Sequence, residues 1–196
     1  MNLNDQLQEA YDAFDLYNSA DPNREIFEGD TYPKEVLYAL RMTEKLNDFA
    51  FDVPDYLQLA ARSQHIGRWE IARNEYPMDR KGYLQWRSQL KVHHSVVAGK
   101  ILKECNYDVG TIEKVKALLL KKQLQHNPDT QLLEDVICLV FVKYYLDEFA
   151  SKHEDDKIID IIQKTLKKMS ANAIDAALQI PVSNKVGELI GKAAAL

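Results

Sequence analysis

The stretch Leu59-Ala60-Ala61-Arg62-Ser63-Gln64-His65-Ile66-Gly67-Arg68-Trp69 contains the most informative transition in this chain. An apolar helical segment ends there in a polar pair and a glycine, which a cationic and an aromatic residue follow. A core helix that ends in this way presents an imidazole to whatever lies beside its C-terminus. His65 is therefore a candidate metal ligand or base that a buried helix holds in place.

The composition of the chain is that of a soluble globular protein. Its 196 residues are enough for one domain with a substantial core. A hydrophobic share of 46% with a charged share of 28% is ordinary, and seven glycines and six prolines without alternating β-branched residues favour an all-α fold. The net charge of −5 argues against broad nucleic-acid binding, because such binding needs clustered positive charge.

Three observations bear on the compartment in which the protein is expected. No apolar run approaches the roughly 20 residues that cross a bilayer, so we expect no membrane segment. The first residues, Met1-Asn2-Leu3-Asn4-Asp5-Gln6, are polar and acidic, unlike a secretory signal. Cys105 and Cys138 lie in apparent helices without CxxC spacing, which predicts reduced, buried thiols. Together these observations predict a cytoplasmic protein.

Helical periodicity recurs along most of the first two thirds of the chain. A loop is expected over 21–30, between the first two helices. The third predicted helix follows Pro54 and runs to about Gly67. An ordered loop rich in cations and aromatic residues is expected over 69–82, and a long fourth helix then reaches Cys105.

The remaining third of the chain continues the helical pattern. A sixth helix that starts at Pro128 is apolar nearly all round, which is typical of a central, buried helix. We expect one compact multi-helix domain over 1–196. Its core is predicted at about 33–168, with C-terminal helices over 169–196 packed on it.

Polar side chains interrupt three of these apolar helices, as His65, the pair His93-His94 and the pair Glu134-Asp135. Buried carboxylates cost several kcal/mol unless they are paired or bound to a metal. Neighbouring residues on a helix diverge by about 100°, and the periodicity does not decide which of the two histidines faces the core.

These polar groups predict a metal site. Asp135, His65 and one of His93 and His94 would provide nitrogen and oxygen ligands for one divalent ion, with Mn, Fe, Zn and Mg all open. One of the two neighbouring histidines could instead act as a general base, and Glu134 is a further catalytic candidate. The alternative is that Glu134 or Asp135 caps a neighbouring helix or pairs with an arginine.

A second cluster combines cations with aromatic rings between residues 62 and 87. Guanidinium groups suit phosphate or carboxylate groups, and the rings could stack on a base or a sugar. The alternative is a solvated face beside ordinary core aromatics. The predicted ligand-binding residues are Arg62, Gln64, Arg68, Trp69, Arg73, Arg80, Tyr83, Trp86 and Arg87.

A third pattern lies in the first helix and at its exit. Its members repeat at a spacing of three, which places them near one face: Asp12, Asp15, Asn18 and Asp21. We interpret them as helix caps and solvated surface, with a role as oxygen ligands as the alternative.

The chain resembles the "domain of unknown function 4202" family along nearly its whole length. The most specific strings are Gln64-His65-Ile66, followed by Arg68-Trp69, and Leu133-Glu134-Asp135-Val136. Further matches are Asp15…Asn18…Asp21-Pro22, Pro33-Lys34-Glu35, Leu57-Gln58-Leu59-Ala60-Ala61-Arg62, Tyr76-Pro77, Gly82-Tyr83, Trp86-Arg87, Cys138-Leu139-Val140-Phe141 and Lys168-Met169-Ser170. The residue before Arg73 is Ala72, where the pattern predicts proline. The family name implies no particular activity.

A more distant likeness is to the HD superfamily of metal-dependent phosphohydrolases, whose helices hold one or two metal ions with histidines and aspartates. Superposing the His-Asp step of that superfamily puts Gln64 at the histidine and His65 at the aspartate. Asp135 falls where the last aspartate would lie, while the upstream helix offers Tyr38 or Arg41 in place of a histidine. The likeness implies an HD-like helical bundle whose metal site is either rewired or lost.

The leading functional hypothesis is a metal-dependent phosphohydrolase of this type that acts on a nucleotide or another small phosphorylated substrate. In it a metal would activate water and arginines would hold the phosphate. The first alternative is a metal-free module that binds an anionic ligand, a nucleotide or RNA, through the cationic-aromatic loop. An iron-dependent oxygenase is a further alternative. The expected partner is thus a small anionic molecule, and a homo-oligomer is left open.

Overall fold

The computed structural model describes residues 3–121 and 127–194, and these two ranges belong to two compact units. The all-α class is confirmed, because the described elements are helices apart from one two-stranded hairpin. The single domain with a core over 33–168 stays a prediction, and the last two residues of its C-terminal part lie outside the described residues. No helix in the described ranges combines the length and the apolar character that a bilayer crossing needs.

The first unit consists of five helices, a hairpin and two single 3-10 turns. The hairpin follows the first helix, and the two turns connect the third helix to the long fourth one. Its elements are α1 (Leu3–Asn18), β1 (Arg24–Phe27), β2 (Asp30–Pro33), α2 (Lys34–Phe49), α3 (Asp55–Arg62), the turns Arg68–Glu70 and Arg73–Glu75, α4 (Arg80–Glu104) and α5 (Val109–Leu119).

The hairpin occupies the segment for which the sequence predicts a loop. Its strands pair antiparallel, with Phe27 opposite Asp30. Glu28 and Gly29 close it with φ angles of 52° and 91°, and positive φ at both central residues is what a tight type I′ turn requires. Each strand has four residues, which is too short for an alternating pattern to stand out in the sequence.

Helix α3 lies at the centre of the first unit and contacts α1, α2 and α5. Its Leu57 and Leu59 are fully buried, as the apolar approach to the quoted stretch predicts. The helix ends at Arg62, earlier than the predicted end near Gly67, and a series of turns follows. Those turns bring the chain back toward the middle of α4.

Gly67 shapes the end of that turn. Its φ of 66° is in the left-handed region, and a Cβ there would lie 2.8 Å from His93 Nε2 on α4. Only glycine combines this backbone conformation with so close an approach. The sequence pattern thus lets the turn that carries His65 pack directly against α4.

The second unit is a small helical bundle around an apolar core. Its helices are α6 (Pro128–Tyr144), α7 (Leu146–Ser151), α8 (Asp155–Leu166), α9 (Ala171–Leu178) and α10 (Asn184–Ala194). Helix α6 begins at Pro128 as predicted, because the Asn127 side chain accepts hydrogen bonds from the first free backbone N–H groups. The core of the second unit consists of Val142, Leu146, Ala150, Ile158, Ile162, Val186, Leu189 and Ala193.

Candidate functional site

The turn after α3 places His65 between two other helices of the first unit. The imidazole stacks on the Tyr38 ring of α2, with 3.9 Å between the ring centroids and 14° between the planes. The His94 ring of α4 lies 5.8 Å away. The His65 side chain keeps 22% of its surface exposed, so a solute can reach it.

Hydrogen-bonding partners define the tautomer of His65. Arg68 Nη1 lies 3.1 Å from His65 Nε2, and because a guanidinium only donates, Nε2 is the acceptor. The proton therefore resides on Nδ1, which lies 3.4 Å from Glu35 Oε2. Arg68, His65 and Glu35 thus form one chain from cation to carboxyl group.

The surroundings of His65 keep its imidazole uncharged. Burial lowers its pKa well below the usual value of 6.5, and the nearby charges of Arg68, Arg87 and Lys121 lower it further. A neutral imidazole among cations leaves a region of positive potential that Glu35 balances only in its ionised form.

Glu35 is the main site residue that the sequence analysis missed. It is 5% exposed, and burial raises its pKa from 4.5 to about 7, against the opposing effect of Arg68. Its backbone N–H donates to Asp21 Oδ2 at 3.1 Å, and its carbonyl accepts a 3.4 Å bond from Asn18. The first helix and its exit therefore fix the position of Glu35.

The spacing-of-three residues on α1 and after it are the signal that could have revealed Glu35. Asn18 and Asp21 are 1% and 0% exposed, so the solvated-surface interpretation is wrong for both, although Asp21 does cap α2. Asp15 binds the Arg62 guanidinium through both of its oxygens. Asp12 is exposed, as expected.

The two neighbouring histidines of α4 have different surroundings. His94 is 4% exposed, and its Nδ1–H donates to the Ile66 carbonyl at 2.6 Å. Burial lowers the pKa of His94 to about 3, so this side chain is a neutral structural donor whose Nε2 is an acceptor. His93 Nε2 instead lies 3.2 Å from Glu70 Oε2, and Tyr17 donates a 2.6 Å bond to the same carboxylate.

Two of the predicted ligand-binding cations remain accessible beside His65. The Arg68 guanidinium lies over the Trp86 ring at 4.8 Å, and its side chain is 26% exposed. Arg87 is half-buried and donates a long 3.4 Å bond to the Tyr83 hydroxyl. Both lie close enough to His65 to lower its pKa.

Other predicted cations are used to hold the structure together. Arg62 binds Asp15 and donates to Thr43. Arg73 donates to the backbone carbonyls of Tyr76 and Asp79, which fastens the loop before α4. These guanidinium groups have their donors engaged by the protein, so they are poorer candidates for ligand contact.

The remaining predicted ligand-binding residues have different surroundings. Trp69 is half-buried with its ring 5.9 Å from Tyr17, and the Trp86 indole donates to the Ile71 carbonyl. Arg80 is exposed at the start of α4. Gln64 is 5% exposed, and its buried Oε1 accepts no hydrogen bond from the residues that the structure describes.

The carboxylates of α6 are used within the second unit. Asp135 accepts hydrogen bonds from the Ser170 N–H at 2.8 Å, from the Ser170 hydroxyl at 2.6 Å and from Gln131 at 2.9 Å. Because Ser170 is the N-cap of α9, Asp135 orients a helix cap, which is the alternative that the sequence left open. Glu134 Oε1 lies 3.7 Å from Lys168 Nζ.

The hydrogen bonds of two predicted ligands bear on the metal prediction. Within 3–121 and 127–194, no three His, Cys, Asp or Glu side chains are arranged as a ligand group. The Nε2 lone pair of His65 already accepts from the cationic Arg68, and the Asp135 oxygens accept from Ser170 and Gln131. Ligation by His65, His93, His94 and Asp135 stays a prediction.

Comparison with known proteins gives a family and no characterised relative. The profile described as "Domain of unknown function (DUF4202)" matches residues 8–190, which include most of both units. Neither a search of curated proteins nor a search of solved structures returns a match. The chain therefore belongs to the DUF4202 family.

Proposed function

We propose that the first unit binds a small phosphorylated molecule, such as a nucleotide, at the turn after α3. The observation that carries this proposal is the partly exposed Arg68 guanidinium, whose Nη1 lies 3.1 Å from His65 Nε2, while Arg87 and Lys121 add positive charge nearby. Guanidinium forks bind phosphate oxygens with two parallel hydrogen bonds, which makes an anion the natural ligand of such a group.

The geometry of Arg68 supports a role in phosphate binding. Trp86 holds the guanidinium plane, and one terminal nitrogen is directed to His65 Nε2. The other terminal nitrogen, Nη2, forms no hydrogen bond with the described residues. A partly exposed, pre-oriented guanidinium loses little conformational entropy when a phosphate binds.

Protonation of Glu35 would let the site accept the negative charge of a ligand. An arriving anion favours the protonated carboxyl group, because two like charges close together raise the cost of ionisation. Since the pKa of Glu35 is already about 7, binding near neutral pH should take up a proton. Protonation removes the repulsion between the carboxylate and the ligand.

Isothermal titration calorimetry with adenosine monophosphate, inorganic phosphate and adenosine tests the proposal. The two phosphate-bearing ligands should bind and adenosine should not. Arg68→Gln and Arg87→Gln should each weaken binding about tenfold or more, because each removes a charge-assisted contact worth about 1.5–3 kcal/mol. Lys164→Gln, at an exposed position of the second unit, is the matched control and should bind as the unaltered protein does.

Proton uptake provides a second readout of the same site. The apparent binding enthalpy should change with the ionisation enthalpy of the buffer near pH 7, and Glu35→Gln should remove that dependence. Unchanged affinity in Arg87→Gln, together with no buffer dependence, would contradict the proposal.

The HD-type metal-dependent phosphohydrolase remains a second proposal, because His65 pairs an uncharged imidazole with a carboxyl group beside accessible arginines. Release of phosphate from nucleotides that requires manganese and is abolished by His65→Gln would support it. Binding that is indifferent to manganese, without turnover, would favour the binding module. Bound iron with an absorption band would instead support the oxygenase.

A further inference from the structure

We infer that the outer face of α4 is a docking surface for an acidic amphipathic helix of a partner protein. This surface comprises the exposed side chains of residues 76–103 on and beside α4 and does not include the His65 turn. It carries an apolar row, a groove and an excess of positive charge. The residues to which the phosphate is assigned, Arg68, Arg87 and Lys121, are not among those that the test below changes.

The apolar row consists of aliphatic side chains that the first unit leaves in solvent. Leu84, Val92 and Val96 are 55%, 47% and 60% exposed, and Ser88 continues the four-residue spacing between the first two. With Met78 and Tyr83, they make up five of the eleven large hydrophobic residues that are exposed in the described chain. Such concentration within one short stretch is typical of an interaction site.

A groove runs beside this row. It has a volume of about 950 Å³ and is open to solvent, with Arg80 and Lys81 at one end. Gln85 and Gln89 line it beside the apolar side chains, and none of its lining residues is acidic. From Arg80 to Val96 the helix rises about 24 Å, which matches a partner helix of about 16 residues.

Charge decides which kind of helix fits. Among the exposed residues of helix α4, four are basic and one is acidic, although the whole chain has a net charge of −5. Arg80, Lys81, Lys100 and Lys103 are exposed along it. A partner with glutamates beside a leucine stripe therefore complements both the charge and the apolar row.

The same features disfavour two other occupants. Single-stranded nucleic acids bind on aromatic platforms, whereas the row here is aliphatic. A second copy of the chain that used this face would oppose two helices of the same positive charge. An acidic helix meets neither difficulty.

Two designed 18-residue helical peptides with the same leucine stripe provide the test. One carries glutamate on its polar face and the other carries lysine. In fluorescence anisotropy with a dye on the peptide, the acidic peptide should bind at least about tenfold more tightly than the basic one. Its affinity should also fall with added salt, because the charged rims are exposed.

The variants separate the apolar row from the charge. Leu84→Gln combined with Val92→Gln should weaken the acidic peptide about tenfold, and Arg80→Gln combined with Lys81→Gln should weaken it about threefold and reduce the salt effect. Val109→Gln on α5, where the side chain is 76% exposed, is the matched control and should bind normally. Circular dichroism checks that each variant folds.

Three outcomes would overturn the inference. They are equal binding of the two peptides, no effect of the double substitution in the apolar row, and displacement of the acidic peptide by a single-stranded RNA. A stable dimer of the unaltered chain that Leu84→Gln with Val92→Gln dissociates would assign the face to a second copy instead.

Discussion

The interiors of the two units differ in their polarity. Among the described residues, the first unit buries nine polar or charged side chains, of which Glu35, Arg62, Gln64 and His94 belong to α3, its following turn or their contacts. The second unit buries three, all of them on α6, and its core is otherwise aliphatic. The first unit thus positions polar groups in its interior at a cost in stability, whereas the interior of the second unit is mainly apolar packing.

The difference teaches where a ligand is to be expected. In the second unit, the Asp135 carboxylate is fully engaged by Ser170 and Gln131, so its polar group serves the fold. In the first unit, His65 and Arg68 combine interior partners with a partly exposed surface. Polar groups that are positioned from the inside and reachable from outside are typical of binding sites.

The largest loss of stability is expected from breaking the ion pair between Arg62, which is buried, and Asp15, which is half-buried. Arg62→Met leaves the Asp15 carboxylate without its guanidinium and should lower the free energy of unfolding by roughly 3 kcal/mol, the low end for buried pairs, because Asp15 is 28% exposed to water. Lys152→Met, in an exposed pair with Glu148 of the second unit, should cost about 0.5 kcal/mol or less. Urea denaturation of the two variants measures the contrast, and equal costs would contradict it.

Glu35 should give the first unit a distinctive pH dependence. Because burial raises its pKa from 4.5 to about 7, the folded state keeps a proton that the unfolded state loses. The contribution of the retained proton on Glu35 to the free energy of unfolding is complete below pH 4.5, and it is lost as the pH rises to about 7. The stability of Glu35→Gln relative to the unaltered chain should therefore rise by about 3 kcal/mol across this range.

Denaturation curves at several pH values measure that change. Glu113→Gln, at an exposed carboxylate of α5, should show no comparable trend. If the stability of Glu35→Gln relative to the unaltered chain fell with rising pH, the pKa of Glu35 could not be raised in the folded state.

Gly67→Ala should lower the free energy of unfolding by about 2 kcal/mol. The alanine would have to adopt a left-handed backbone conformation, and its Cβ would also be too close to His93. Gly29→Ala shares the positive φ but meets nothing within 4 Å, so it isolates the backbone part, about 1 kcal/mol. Thermal unfolding of the two variants, and of Gly67→Ala combined with His93→Ala, measures each part. The double variant should be more stable than Gly67→Ala alone, because the close contact with His93 is removed. A lower stability of the double variant would show that this contact is not the cause.

A small effect that does not depend on pH is expected in the aliphatic core. Ile158→Val removes one buried methylene in the second unit and should cost about 1 kcal/mol at every pH. Calorimetric phosphate binding to the first unit should stay the same. A change in phosphate affinity would show that the two interiors are not functionally separate.

Periodicity in the sequence was enough to predict most of the helices. Leu57 and Leu59 are buried where the apolar pattern puts them, and α6 begins at Pro128. The hairpin was not predicted, because strands of four residues are too short to show a clear alternation of polar and apolar residues. The end of α3 was misplaced by five residues, since Ile66 is buried in a turn rather than in the helix.

The candidate site was predicted in part. His65 and Arg68 follow from the quoted stretch itself. Glu35 did not, because its position depends on Asp21, fourteen residues earlier, through a backbone contact that no helical periodicity encodes. The choice between His93 and His94 depended on the Ile66 carbonyl, which only the folded turn supplies.

Both tryptophans of the chain, Trp69 and Trp86, belong to the first unit and flank the proposed phosphate site. Indole emission therefore reports on that unit alone, while far-ultraviolet dichroism reports on the helices of both. A single sample followed by the two signals shows whether the units melt together or in sequence. The cation above the Trp86 ring also makes its emission a natural indicator of Arg68 movement when a ligand arrives.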